Sequence, residues 1–374
     1  MNKITAFLKK EPMLTVSVLA AIISLFITPP SKELLSAIDW RTLATLFMLL
    51  SVLEGFKTQN IFAPLIRLTS KISSVRNLSF FFVFSVFFSS MFVTNDVSLI
   101  IFVPLTILMF QTGKKEKYII PVLTFENIAA IRGSLLTPFG SPQNLYIFSK
   151  SGIPVQKFLL TMLPLWLGSA VLLSLFILFL YRKNPGETFE TAGKPENRES
   201  DPKKRTVHII LFIGIILMIV TRSPLWPYVT LAVLLALLIF DREILLKTDY
   251  VLLLTFLCFF VFSSSICANP QISKFLADSV KGKEYIWSIL LSQLISNVPA
   301  SIVLWPFTTN IKALLYGLDS AGLCSIIGSL ASVINLRIYS RSYPEKVGEF
   351  MKWFEIISLA FFAIVVIPQY FLSR

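Results

Sequence analysis

The chain has one histidine, three cysteines and only 21 acidic residues in 374. Its motifs contain no HExxH pair and no Ser–His arrangement, so metal-dependent or serine proteolysis within a membrane has no apparatus. Aspartyl proteolysis needs two facing carboxylates, and Asp96 stands alone as a well-placed one. The phosphate loop Gly-x-x-x-x-Gly-Lys-Ser/Thr is absent, which argues against pumping by the chain's own ATP hydrolysis. The chain is therefore read as a non-enzyme with no cofactor. Cys258, Cys267 and Cys324 fall in or beside apolar segments without paired spacing, as small hydrophobes do, and suggest neither a disulfide nor a transition-metal set. Charge is scarce as well: 15% of residues are charged, against about 25% in soluble domains.

What fills the chain instead is apolar. Hydrophobic residues make up 55% of it, and the mean hydropathy is +0.75. Runs such as Val171–Leu180, Ile209–Val220 and Val251–Phe262 carry no charge. With their flanks, several approach the ~20 apolar residues that cross a bilayer. Disorder, a secreted disulfide scaffold and nucleic-acid binding are excluded on this basis. The net charge of +13 then becomes a topology signal, because basic residues collect in cytoplasmic loops.

Full spans are placed near 13–29, 42–56, 119–148, 158–181, 207–222, 228–240, 250–266, 321–336 and 354–370. Two further apolar stretches, 78–110 and 285–307, are interrupted by polar residues and read as hairpins; for 78–110, re-entry and two short crossings stay open. With the N-terminus inside (Lys3, Lys9, Lys10), segments 1–12, 57–77, 111–118, 182–206, 241–249 and 337–353 are cytoplasmic. They hold about two-thirds of the Lys and Arg residues. Segments 30–41, 149–157, 267–284 and 308–320 fall outside. The start is basic and apolar, but Ile27-Thr28-Pro29-Pro30 is a poor cleavage site for a signal peptide. Residues 182–206, rich in Pro, Gly, Glu and Lys, read as a flexible cytoplasmic linker between a first half (1–181) and a second (207–374).

The halves match across that linker. Asp39-Trp40 opens an apolar span, Thr94-Asn95-Asp96-Val97 sits between two apolar arms, and Gly140-Ser141-Pro142-Gln143-Asn144 follows. In the second half Asp249-Tyr250, Ser296-Asn297-Val298-Pro299 and Gly328-Ser329-Leu330-Ala331-Ser332 come in the same order. By the charge count Asp39 lies outside and Asp249 inside, so the halves have opposite orientation. Inverted repeats with polar, Gly/Pro-interrupted segments point to a secondary transporter with its site near the bilayer midplane. Backbone that leaves a helix at that depth must be satisfied within protein or a wet cavity. Half-helix N-termini then suit an anion, and freed carbonyls suit a cation such as Na⁺.

Thr94–Pro104 resembles the first hairpin of the ion transporter superfamily. That group includes divalent anion–sodium symporters, arsenite/antimonite permeases, citrate transporters and NhaD-type Na⁺/H⁺ antiporters. Asn127–Leu145 is similar to its broken-helix motif NIGxxxTPxGxPxN, and Ser292–Ala300 resembles its second hairpin. The resemblance implies an all-α polytopic fold of two inverted-topology repeats, each with a re-entrant hairpin and a broken transmembrane helix. It also implies an elevator-type mechanism and a homodimer. Thr94, Asn95, Thr137 and Asn144, with Asp96, would form one cation site, and Ser296, Asn297, Ser329 and Ser332 its counterpart. Substrate would meet Asn95, Asp96, Arg132, Ser141, Gln143, Asn144, Ser296, Asn297 and Ser329 between the tips. The symporters carry Ser-Asn-Thr at both tips. Here Asp96 and Val298 stand third, and an acidic third residue is more like the arsenite and Na⁺/H⁺ branches.

The expected function is transport of a small anion, a di- or tricarboxylate or an oxyanion-type solute, across the cytoplasmic membrane, coupled to Na⁺ or H⁺. A Na⁺/H⁺ antiporter, an arsenite/antimonite efflux permease and a passive facilitator remain as alternatives. Asp96 reads as a cation or proton carrier or as a cap on the following half-helix. Arg132 meets an anion or pairs with Asp96 or Glu126, and Glu126 is a second candidate for the proton. Glu54 and His208 read as interfacial.

Overall fold

The computed structural model describes residues 12–28, 38–59, 61, 69, 72–188, 201–326 and 328–374. Lys3, Lys9, Lys10, Arg67, Lys71 and the middle of the linker, 189–200, lie outside the described residues. The described chain is helical throughout, with a single isolated bridge between Ser74 and Thr188.

The first half runs α1 (Pro12–Ile27), α2 (Trp40–Thr58), α3 (Val75–Val93), α4 (Asn95–Thr112), α5 (Ile119–Ser134), α6 (Pro142–Ser151) and α7 (Val155–Leu180). The second runs α8 (Pro202–Thr221), α9 (Trp226–Phe240), α10 (Glu243–Lys247), α11 (Tyr250–Ala268), α12 (Pro270–Val280), α13 (Glu284–Ile295), α14 (Asn297–Leu304), α15 (Ile311–Ala321), α16 (Leu330–Ser342) and α17 (Val347–Ser373). Among the described residues α3, α4, α7, α8, α11 and the stretch Pro344–Ser373 are long and apolar enough to cross a bilayer. The protein is a multi-pass membrane protein. Many large apolar side chains on α7, α9 and α17 face outward, as lipid-facing helices require.

Backbone geometry coincides at the three places paired by sequence. Asp39 (φ −82°, ψ 80°) and Asp249 (φ −77°, ψ 82°) each cap a helix by accepting from a backbone N–H three residues on, Thr42 at 3.0 Å and Leu252 at 2.9 Å. Thr94 (φ 70°, ψ 158°) and Ser296 (φ 70°, ψ 159°) separate the arms of the two hairpins. Ser141 (φ −145°, ψ 150°) and Ser329 (φ −147°, ψ 139°) precede the helices that follow the two breaks.

The stretch 119–148 is two helices, α5 and α6, with a non-helical break at 135–141. The second break differs from the sequence expectation. The span placed at 321–336 is split, and 308–320, read as an outside loop, contains the buried helix α15. Lys312 and Asp319 make that segment look like a loop. In the fold Lys312 stands over the Tyr316 ring, 5.5 Å from its centroid, and Asp319 finds partners inside. Likewise 267–284, read as outside loop, holds α12, and the linker ends at Pro202, where Asp201 caps α8. His208, expected at the interface, is fully buried. Its Nε2 lies 3.2 Å from Asp241, which Lys204 also holds at 3.0 Å, and its ring fills the space left by the missing side chain of Gly55. A partnered imidazole escapes the cost that drives a lone one to the surface.

Both breaks need glycine for the same reason. A Cβ on Gly140 would lie 2.2 Å from the Ser134 carbonyl, and one on Gly328 would lie 2.3 Å from the Ala321 carbonyl. Backbone cannot swing aside as a side chain can. Gly140→Ala is therefore expected to cost about 1–3 kcal/mol. The check is the melting temperature in detergent, with Gly168→Ala, whose Cβ would meet nothing within 4 Å, as the neutral comparison.

The near end of the linker is tied down. Val75 N–H donates to the Glu187 carbonyl at 2.9 Å. The Glu187 carboxylate receives Lys115 at 2.8 Å and the Tyr118 hydroxyl at 2.5 Å, which hold its pKa down to about 2. A depressed carboxylate contributes its attraction above the ordinary carboxylate range and loses it as pH falls toward 2. Hydrogen exchange at Val75 should stay slow through pH 4 in the wild type, and be faster in Glu187→Gln at neutral pH.

Candidate functional site

The tips are strained. Positive φ with extended ψ is a region used almost only by glycine, and a side chain there costs of order 1–3 kcal/mol. Thr94 and Ser296 both adopt it. Such strain persists only where the surroundings over-determine it, and it concentrates at functional positions. What determines it here is close packing. Thr137 donates its hydroxyl to the Met91 carbonyl at 2.5 Å, tying the first break to the end of the first arm. Asn297 N–H donates to the Gly328 carbonyl at 3.2 Å, tying the second tip to the second break.

The halves then interlock. The second arm of the first hairpin, α4, packs on α16 beyond the second break, while α14 packs on α6 beyond the first. Gln143 Nε2 donates to Asp319 Oδ1 at 3.2 Å, joining α6 to α15. Asn144 Nδ2 donates to the Leu135 carbonyl at 3.4 Å within its own break. At the first tip Asp96 N–H donates to Asn95 Oδ1 at 2.9 Å.

A cavity of about 390 Å³ opens against the first tip. Thr94 and Asp96 of the tip and Phe139, Ser141 and Pro142 of the break form one side. Leu49, Leu53, Glu54 and Lys57 of α2, with Lys247 at the end of α10 and Asp249 capping α11, form the other. Glu54 is paired with Lys57 at 3.0 Å and lines this cavity. Of the residues expected at the site, Thr94, Asp96 and Ser141 are on its wall. Asn95, Arg132, Thr137, Gln143, Asn144, Ser296, Asn297, Ser329 and Ser332 are buried in the protein and are not part of its lining.

Two buried oxygens of lining residues have no partner, Asp96 Oδ1 and Ser141 Oγ, and away from the lining Asn144 Oδ1 and Asp319 Oδ2 are unpartnered as well. Buried polar groups are normally hydrogen-bonded, so unsatisfied ones around a cavity are the groups a ligand would meet. These four are oxygens, as a hard cation would need, while the unpartnered Nε and Nη1 of Arg132 suit an anion.

Two expected pairings are not made. Arg132 forms no ion pair with Asp96 or Glu126. It is fully buried on α5, its Nη2 donates to Gln369 Oε1 at 3.4 Å, and Asp319 is the charge that acts on it. Ser332 does not join Ser296 and Asn297; its hydroxyl receives Asn127 Nδ2 of α5 at 3.0 Å. Glu126 accepts the Thr106 hydroxyl of α4 and keeps Oε2 unpartnered. Asp319, Gln369 and Asn335 were not singled out by sequence, and Asn127 only as the first residue of the broken-helix motif. Asp319 lay in a supposed loop, and Gln369 sits in a terminal span with no motif around it.

At the opposite end of α2 the contacts are closed. Lys150 of α6 pairs with the buried Asp39 at 3.3 Å. Arg222, at the end of α8, donates to the carbonyls of Phe148 at 2.8 Å and Ile153 at 2.5 Å, with its guanidinium 4.2 Å from the Phe148 ring centroid. The cavity is thus open at one end of α2 and pinned shut at the other.

Comparison with known proteins gives a consistent result. A family model described as citrate transporter matches residues 4–340. The inner membrane protein YbiR of Escherichia coli (strain K12) is 32% identical over 323 residues, covering 84% of this chain and 84% of that protein. The uncharacterized transporter MJ0456 of Methanocaldococcus jannaschii is 29% identical over 320 residues, covering 85% of this chain and 86% of its own.

Proposed function

Because the chain belongs to the citrate transporter family, within the ion transporter superfamily, we propose that it is a secondary transporter moving a small di- or tricarboxylate or oxyanion-type solute across the cytoplasmic membrane, coupled to Na⁺ or H⁺. The observation that carries the reading is the pair of strained tips, Thr94 and Ser296, with the same backbone angles, each pinned to its own helix break. On this reading 1–181 is one inverted-topology repeat, joined by the linker, which ends where α8 begins at Pro202, to a linking helix and the second repeat.

Thr94, Asn95, Asp96, Thr137 and Asn144 hold the coupling cation at the first tip, and Ser296, Asn297 and Ser329 form its counterpart. Ser141, Gln143 and Asn144 face the anion at the break. Arg132 supports the substrate region by neutralising Asp319 behind it. The chemistry is binding alone: cation oxygens, helix-end dipoles and a cavity large enough for a tricarboxylate.

The conformation described is inward-facing on this reading. The charge distribution puts Glu54, Lys57, Lys247 and Asp249 on the cytoplasmic side, where the cavity opens. Asp39–Lys150 and Arg222 close the outer side. The hairpins and broken helices move as one body against α2 in an elevator step, which breaks those outer contacts, and the protein works as a homodimer. Coupling then requires only that ion and anion favour the same state. Asp96, a cavity-lining carboxylate whose buried Oδ1 has no partner, also favours a second reading, a Na⁺/H⁺ antiporter in which the two cations alternate on that carboxylate.

A thermal-shift panel separates the readings, because a ligand that binds the folded state raises the melting temperature by mass action. Citrate or succinate should stabilise the protein in Na⁺ or at acidic pH, and less in choline at neutral pH. Stabilisation by Na⁺ with no response to any anion would favour the antiporter and overturn the anion reading.

A further inference from the structure

The seam where α16 lies against α5 is polar although both helices are buried in the bundle there. Asn127 donates Nδ2 to Ser332 Oγ at 3.0 Å, and one turn along Asn335 donates Nδ2 to the Leu123 carbonyl at 2.7 Å. Asn127 is 1% exposed and Asn335 is fully buried. Both amides spend their N–H side on the neighbouring helix, and Asn127 Oδ1 and Asn335 Oδ1 are left with no donor. Buried carbonyl oxygens without a partner are costly, and a native structure rarely keeps two on one seam without a use for them. Oxygens alone, neutral and a helical turn apart, suit a hard monovalent cation and give an anion nothing to bind.

A second cavity, of about 270 Å³, lies next to the same seam, lined by Ile119 and Ile120 of α5, Tyr339 of α16 and Tyr343 just after it, and the charged residues Glu116, Lys117, Lys346 and Glu349. Tyr339 is one turn from Asn335, and Ile120 is one turn before Leu123. The larger cavity at the first tip shares none of these residues.

We propose that Asn127, Asn335 and Ser332 with the Leu123 carbonyl form a binding site for a dehydrated alkali cation of the Na⁺ class, reached from the Glu116/Glu349 cavity and separate from the hairpin tips. The cation loses its water on entering the seam, and the amide and hydroxyl oxygens replace that shell. An ion held there ties α16 of one half to α5 of the other. The binding stands apart from the proposed function and from what the substrate is.

The test is equilibrium binding of ²²Na⁺ to the purified full-length protein in detergent, with choline replacing Na⁺ and no anion substrate present. The wild type should bind Na⁺, and Asn335→Leu and Asn127→Leu, apolar residues of similar shape, should each lower the saturating amount by one ion per chain. Asn335→Ser, a milder change, should weaken that site by about 10–100-fold, the usual effect of a lost metal-site contact. Asn95→Ala at the first tip should remove a different ion, so its combination with Asn335→Leu should lose both. If Asn335→Leu does not fold, Asn335→Asp, which keeps the oxygen and adds charge, should bind Na⁺ more tightly than wild type. Wild-type stoichiometry and midpoint in both Leu variants would overturn the proposal while leaving the transport reading intact, as would loss of all Na⁺ binding in Asn95→Ala alone. A wild type that binds no Na⁺ would overturn it as well. Failure of anion transport with the seam ion still bound would instead count against the proposed function.

Discussion

Asp96→Asn should fold normally and lose most gradient-driven transport. Asp96 sits in the first turn of α4, two residues after the strained Thr94, lining the cavity and with its buried Oδ1 left without a partner. The substitution keeps size and shape and removes the charge. A hydrogen bond or ligand contact made by an ionised group is worth about 1.5–3 kcal/mol, which corresponds to roughly 10–150-fold in affinity for the coupling ion. If Asp96 served only to cap α4, the amide would do almost as well, since Asn and Asp are comparable caps. Asn95, whose Oδ1 already accepts Asp96 N–H, would hold the tip in either case. Retention of full ion-coupled uptake by Asp96→Asn, at a wild-type melting temperature, would reduce the residue to its capping role.

The second large effect is expected at Arg132. It is fully buried, bonded to Gln369, and electrostatically opposed to Asp319 on α15, itself only 1% exposed. Ser320 also donates to Gln369 Oε1, so α5, α15 and α17 meet at one polar knot inside the bundle. Arg132 and Asp319 make no direct salt bridge, but each is a buried counter-charge to the other, so removing one leaves the other less compensated, at a cost approaching that of a broken buried pair, about 3–5 kcal/mol. Replacing both by apolar residues of similar volume is often neutral. Arg132→Leu should therefore be severely destabilised, and Arg132→Leu with Asp319→Leu should recover most of the loss in a detergent melting experiment. If Arg132 is a direct anion ligand as well, the double variant will be stable and still unable to transport. An equally unstable double variant would show that the two charges do not compensate each other.

The first half was largely legible in the sequence because its chemistry is written in unusual residues. Thr94-Asn95-Asp96 and Gly140-Ser141-Pro142 are polar or helix-breaking at predicted membrane depth, and backbone at such depth must find partners. The fold places Thr94, Asp96 and Ser141 on one cavity wall. The second half hid its break. Lys312 and Asp319 lower the hydropathy of 308–320, and a window reads them as loop, whereas Asp319 Oδ1 accepts a hydrogen bond from Gln143 of the other half. His208 misled for the same reason, since its Asp241 partner lies 33 residues away. The pairing of Asp39 with Asp249 could be read because a capping carboxylate is local, three residues from its donor. Contacts such as Asn127–Ser332 and Arg132–Gln369 join residues more than 200 positions apart and leave no periodic trace.

The central claim is that a cation gradient drives an anion through this protein. Purified protein in proteoliposomes, loaded with choline and diluted into labelled citrate or succinate, tests it most directly. An inward Na⁺ gradient, or an inward proton gradient imposed separately, should drive uptake above the equilibrium level, with collapse on adding an ionophore that dissipates that gradient. Asp96→Asn vesicles should show only leak. Anion flux that never exceeds equilibrium under either gradient would contradict the account and leave a passive facilitator, and Na⁺-driven proton movement with no anion flux would leave the antiporter.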